Sequence, residues 1–195
     1  MRPIQLLLVA IVLALGLSAC GADDTPGTIS EDDLPSSVEV DKVTHDEQAA
    51  RVSCPDVNDA EDNEVMTPSE NYDKERRAAV AYQLSGSHGT TVSNSVWRLS
   101  DPKQAVDRVA AGVDKCVQAH PDTYQRFEVK GYPDALGYTE EGGYPTPSYT
   151  RRILVPLDDR VVIVSARRQG GDDFAVAPED LLEKAIAASD EAPQA

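Results

Sequence analysis

Four of the seven tyrosines crowd into one stretch of the chain: Tyr132, Tyr138 and Tyr144 lie within it and Tyr149 leaves it, among Gly131, Pro133, Gly137, Gly142, Gly143, Pro145 and Pro147. Tyrosine offers flat apolar area with a polar edge at small entropic cost, so rings presented on a loop suit carbohydrate or peptide recognition. The same rings could instead pin a long loop to the sheet beneath it. A loop of this length inside a compact domain is often functional. These four are therefore the candidate ligand-binding residues, with both readings open.

Other chemistry-bearing groups fall short of a site. Ser100 stands three residues before Lys103, the spacing of a serine nucleophile and its lysine in penicillin-binding enzymes. That chemistry also needs a Ser-x-Asn element and a Lys-Thr-Gly strand; Ser93-Asn94-Ser95 sits wrongly for the first, and the second is absent from the sequence. Asp56, Asn58, Asp59, Glu61, Asp62 and Glu64 invite calcium, but Ala60 falls where an oxygen ligand must stand and Glu61 where the loop needs glycine. A solvated loop accounts for these carboxylates, with a weak, irregular calcium site as the alternative reading. His45, His88 and His120 are scattered, and the sequence holds no His-Glu-x-x-His, no Gly-x-Ser-x-Gly and no glycine-rich phosphate loop. No catalytic residue, metal ligand or cofactor motif is assigned, and the chain reads as a non-enzyme.

The cysteines carry more. Arg2, an apolar run over residues 4–17 and the small residues Ser18 and Ala19 form a secretion signal. Leu17-Ser18-Ala19-Cys20 resembles a bacterial lipobox. That resemblance implies cleavage before Cys20, a diacylglycerol (palmitate) on its sulfur, and attachment to the extracytoplasmic face of the cell membrane. An ordinary cleaved signal would leave Cys20 as a spare thiol, and a membrane span needs about 20 apolar residues, more than this run supplies. With Cys20 committed, Cys54 and Cys116 remain outside the reducing cytosol, where a disulfide between them is expected. The alternatives are two separate thiols or a metal pair, and a lone cysteine pair without a CxxC or nearby histidine makes a poor zinc site.

Removing the first 19 of 195 residues leaves 176, enough for one domain with a proper core. The formal charge of −16 becomes −17 when Arg2 is lost with the signal. A chain this acidic is repelled by nucleic acid and by anionic headgroups, which excludes nucleic-acid binding as its function.

These groups need elements to position them. Residues 20–41, rich in Asp, Glu, Pro, Ser and Gly, read as the lipidated cysteine and a disordered acidic tether. Thr44 to Glu47 has capping-box spacing and predicts a short helix from His45 to about Val52; residues 56–71 read as loop. Alternation over 79–84 and 91–99 about Ser85 to Gly89 predicts a β-hairpin. Asp101-Pro102 starts a helix whose Val106, Val109, Ala110, Val113, Cys116 and Val117 share one face. A strand over 124–129, a Tyr/Gly/Pro loop over 132–148, and a second hairpin, 149–156 with 160–168, follow. Pro178 opens a last helix with Leu181, Leu182, Ala185 and Ile186 on one side. The expected fold is α+β over residues 42–190: an antiparallel sheet of about five strands, helices on one face, one disulfide, and a frayed tail at 191–195.

Cys54 with its following loop, the first hairpin, the helix carrying Cys116, the strands around Val161 to Val164 and the closing helix together resemble, in order of elements, the extracellular sensor domain of the mycobacterial kinase H type. That fold is found in actinobacterial lipoproteins as well as on receptor kinases. The resemblance covers most of residues 42–190 and implies an antiparallel sheet with flanking helices around a ligand-binding cleft. The functional expectation is a sensor-like lipoprotein that binds an envelope ligand or protein partner. The alternative is a pure protein-interaction module without a small-molecule pocket.

Overall fold

The run Val161-Val162-Ile163-Val164 has no polar residue in it, and a strand written that way is buried on both faces. The computed structural model, which describes residues 25–45, 54–58, 77–86, 89–142, 147–170 and 173–192, places this run at the centre of a seven-stranded sheet. The strands are β1 (Val40–Thr44), β2 (Arg77–Leu84), β3 (Thr91–Arg98), β4 (Tyr124–Phe127), β5 (Leu136–Gly142), β6 (Ser148–Pro156) and β7 (Arg160–Gln169). Their spatial order is β1-β2-β3-β7-β6-β5-β4, and every neighbouring pair is antiparallel. Helix α1 (Pro102–Ala119) joins β3 to β4, and α2 (Pro178–Ala188) follows β7.

Alternation along the strands sorts the core into two layers. Val162, Val164 and Ala166 of β7 share one cluster with Ile153, Val155, Val92, Val96, Val80 and Tyr82, and Leu181, Leu182 and Ala185 of α2 close it. Val161 and Ile163 point the other way, to Leu154, Leu136, Tyr138 and Trp97, beneath Val106, Val109, Val113 and Cys116 of α1. The helices therefore cover opposite faces, not one face as expected. The uninterrupted apolar run in β7 is the physical reason, because a sheet covered on one side would show alternation there.

The sheet has seven strands rather than about five. β5 lies inside the stretch read as a tyrosine loop: Leu136 and Tyr138 are spaced by two because they are its inward face. β1 is an edge strand, half-buried at most, so its sequence lacks the apolar signature of an inner strand. The helix expected from His45 to about Val52 lies outside the described residues apart from His45.

Residues 25–41 and 191–192, expected in the tether and the tail, are packed on the fold. From Thr25 onward the segment lies on the α2 face as a strap, with Ile29 and Leu34 buried in the core. The Ile29 amide donates to Asn94 Oδ1 at 3.0 Å, Tyr82 donates its hydroxyl proton to the Ile29 carbonyl at 2.8 Å, and Lys184 donates to the Asp33 carbonyl. Asn94, itself buried, donates onward to the Ile163 carbonyl at 3.0 Å, locking strap and central strand together. At the other terminus a 3-10 turn (Ser189–Glu191) leads to Ala192, which is buried against Gly27. Gly27 has φ of +89°, and a Cβ there would lie 2.4 Å from Ala192 Cα, so both backbone and space demand glycine.

α1 begins where local chemistry says it should. Asp101 Oδ1 accepts from the Gln104 amide at 2.9 Å, and Pro102 occupies the first turn. Cys116, on its buried face, forms the disulfide with Cys54. Residues 55–58 form a single helical turn packed on α1, with Val57 fully buried and Gly112 directly beneath the Asp56 carbonyl.

Candidate functional site

The two ends of the sheet differ. At one, which we call the Gly86 end, lie the β2–β3 turn, the ends of β5 and β7 and the start of β6. At the other, the Leu157 end, lie the β6–β7 turn, the start of α1 and the end of α2, and among the described residues this is where an open groove of about 560 Å³ is found. Its lining comes from four separate segments: Lys103 in the first turn of α1, Asp134 before β5, Pro156, Leu157, Asp158 and Arg160 of the β6–β7 turn, and Ile186 and Asp190 at the end of α2.

The turn is held from both sides. The Leu157 amide donates to the Arg160 carbonyl at 2.8 Å, and the Leu99 amide donates to the Asp159 carbonyl at 3.0 Å. The cations of the groove are already neutralised. Lys103 Nζ lies 3.2 Å from Asp107 and 3.5 Å from Asp134, and these carboxylates, Asp107 foremost, raise its pKa above the ordinary lysine value. Arg160 pairs with Asp159 at 2.8 Å and with Asp190, and its Nε donates to Ser189 Oγ at 2.8 Å. Arg98 pairs with Asp159 and donates to the Ala192 carbonyl at 3.0 Å. Asp158 is exposed, and no described side chain pairs with it. The groove thus combines an apolar floor (Pro156, Leu157, Ile186) with carboxylate left over after internal pairing. That arrangement suits an amphiphilic cationic group, whose stem lies on the floor while its charge meets Asp158. Replacing Lys103→Gln is expected to leave the thermal midpoint unchanged in scanning calorimetry, since exposed ion pairs contribute little.

The predicted tyrosines do not converge. Tyr138 is fully buried in the α1-side layer. Tyr132 packs on the opposite layer and donates its hydroxyl to Glu183 Oε1 at 2.8 Å; burial, then that carboxylate, pushes its phenol pKa up. Tyr149 donates to Glu141 Oε1 at 2.9 Å, and the Arg168 guanidinium lies 3.9 Å from its ring centroid and 5.4 Å from that of Phe174. Tyr144 lies outside the described residues. In the three described tyrosines the pinning role is the one the geometry displays. Lys103, the lysine of the Ser100 spacing, has its ammonium turned to Asp107 and Asp134. Of the calcium candidates, Asp56 pairs with Lys115 at 3.0 Å, and Asp59, Glu61, Asp62 and Glu64 lie outside the described residues, as does Cys20. Among the described residues, no group of three or more His, Cys, Asp or Glu could hold a metal ion, and no helix is long and apolar enough to cross a membrane.

A second polar feature is closed. Ser93, Ser165, Arg152 and Tyr138 form one cross-strand row on the α1 side, all buried. Neither it nor the groove was read from the sequence, because each gathers residues far apart in the chain; the one local hint was Leu157, an apolar residue in a turn. Compared with known proteins, the chain matches no family model and no curated protein.

Proposed function

We propose that the chain is a membrane-anchored, extracytoplasmic binding lipoprotein with no catalytic role. Within that class we read it as a sensor-like domain of the kind that the mycobacterial kinase H resemblance implies, engaging an envelope ligand or partner at the outer face of the plasma membrane. The observation behind the compartment is the Cys54–Cys116 disulfide, a bond at home outside the reducing cytosol, in a chain whose start resembles a signal peptide and lipobox. The groove at the Leu157 end is the candidate binding surface. Its open, charged form also favours the second reading, a protein-interaction module that takes a partner's basic side chain instead of an enclosed small molecule. The Cys20→Ala protein is expected to leave the membrane fraction, appearing in the medium or as unprocessed precursor. Fractionation with mass determination of the N-terminus checks this, and unchanged processing and membrane attachment would defeat the anchor.

A further inference from the structure

We infer that the Leu157 end is the membrane-apposed surface of the domain, so that its groove opens toward what the outer leaflet presents; this rests on the lipid anchor proposed at Cys20. The geometry is set by how early the chain joins the fold. Thr25 Oγ1 hydrogen-bonds His45 Nδ1 at 2.7 Å, directly after β1, and Ile29 is already in the core. Cys20 precedes Thr25 by five residues, a leash of at most about 18 Å even when fully extended. A tether running to Asp41 would have let the domain turn freely.

The leash is attached at one particular end. Gly27 abuts Ala192; the Ala192 carbonyl accepts from Arg98, the last residue of β3; and Arg98 pairs with Asp159 in the β6–β7 turn. Asp190 of the groove wall is two residues from Ala192. His45 follows Thr44, which pairs with Ala81 midway along β2, so Thr25 sits on the β1 side of the sheet while Gly27 reaches the Leu157 end. The opposite end lies about 25 Å further out, the length of a nine-residue strand. Charge does not reverse this. Asp158 and Asp190 repel anionic headgroups, but at physiological ionic strength that repulsion fades over about 8 Å, well inside the leash. The end hovers at the headgroups without inserting.

The test uses the full-length lipoprotein extracted from membranes and reconstituted into phosphatidylcholine–phosphatidylglycerol vesicles bearing a headgroup acceptor dye. A donor is attached through an azide-bearing residue at Asp158 in one preparation and at Asp122, near the Gly86 end, in another. Energy transfer is expected to be clearly stronger from position 158, and the difference should collapse when about 30 Gly/Ser residues are inserted before Thr25, a flexible reach of about 30 Å. Equal transfer from both positions in lipidated protein of native length overturns the orientation alone. A preparation whose Cys20 carries no lipid by mass overturns the anchor, and the orientation with it.

Discussion

Removing the Cys54–Cys116 bridge, by reduction or as the Cys54→Ser/Cys116→Ser double variant, is expected to cost about 4 kcal/mol of folding stability. The cysteines are 62 residues apart, and the chain-entropy treatment gives this value for an unfolded-state loop of that size. For a chain of this length it corresponds to a fall in thermal midpoint of about 8–16 °C. The loss has a structural side as well. Cys54 and Val57 are both buried in the α1-side layer, and the bridge is the covalent hold on that short segment. Scanning calorimetry with and without reductant measures the effect. A midpoint that does not move on complete reduction would mean that the unfolded chain gains little freedom when the bridge opens.

How much of this was legible in the sequence follows from how local each signal is. The start of α1 was readable because Asp101, Pro102 and Gln104 are adjacent in the chain, and the Asp101–Gln104 hydrogen bond is the one their spacing predicts. Both hairpins were readable for the same reason, strand and turn being continuous. The pairing of Cys54 with Cys116 followed from cysteine arithmetic and compartment, not from proximity. The strap was not readable. Ile29 and Leu34 are isolated apolar residues among Asp, Glu and Pro, and the polar groups that fix Ile29, Asn94 and Tyr82, lie 65 and 53 residues further on. β5 failed differently, since its glycines and glutamates disfavour strand by local preference while cross-strand pairing with β4 and β6 overrides it. Tyr138 illustrates the consequence: an aromatic on a loop suggests recognition, but the same aromatic on the inward face of a strand is core. The groove needed four chain segments brought together, so no motif could announce it.

The remaining large effect is expected at Gly112, where two opposing terms decide the sign. In an isolated helix Gly→Ala gains about 1 kcal/mol through propensity. Here the added Cβ would lie 2.7 Å from the Asp56 carbonyl oxygen and 3.0 Å from its carbon, both backbone atoms that cannot swing aside as a side-chain tip could. Overpacking costs about 1–3 kcal/mol, and a clash with unyielding backbone belongs in the upper part of that range, so Gly112→Ala is expected to be net destabilising by about 1–2 kcal/mol, and Gly112→Val by more. The bridge makes the clash unavoidable by holding residues 54–58 against α1. With both cysteines replaced, the segment can move off the helix and the propensity term takes over, so the Gly112→Ala penalty should shrink and can change sign. A double-mutant cycle read by urea denaturation tests this directly. Equal Gly112→Ala penalties in the bridged and unbridged proteins would show that Val57 and the Asp56–Lys115 pair hold the segment without help from the disulfide.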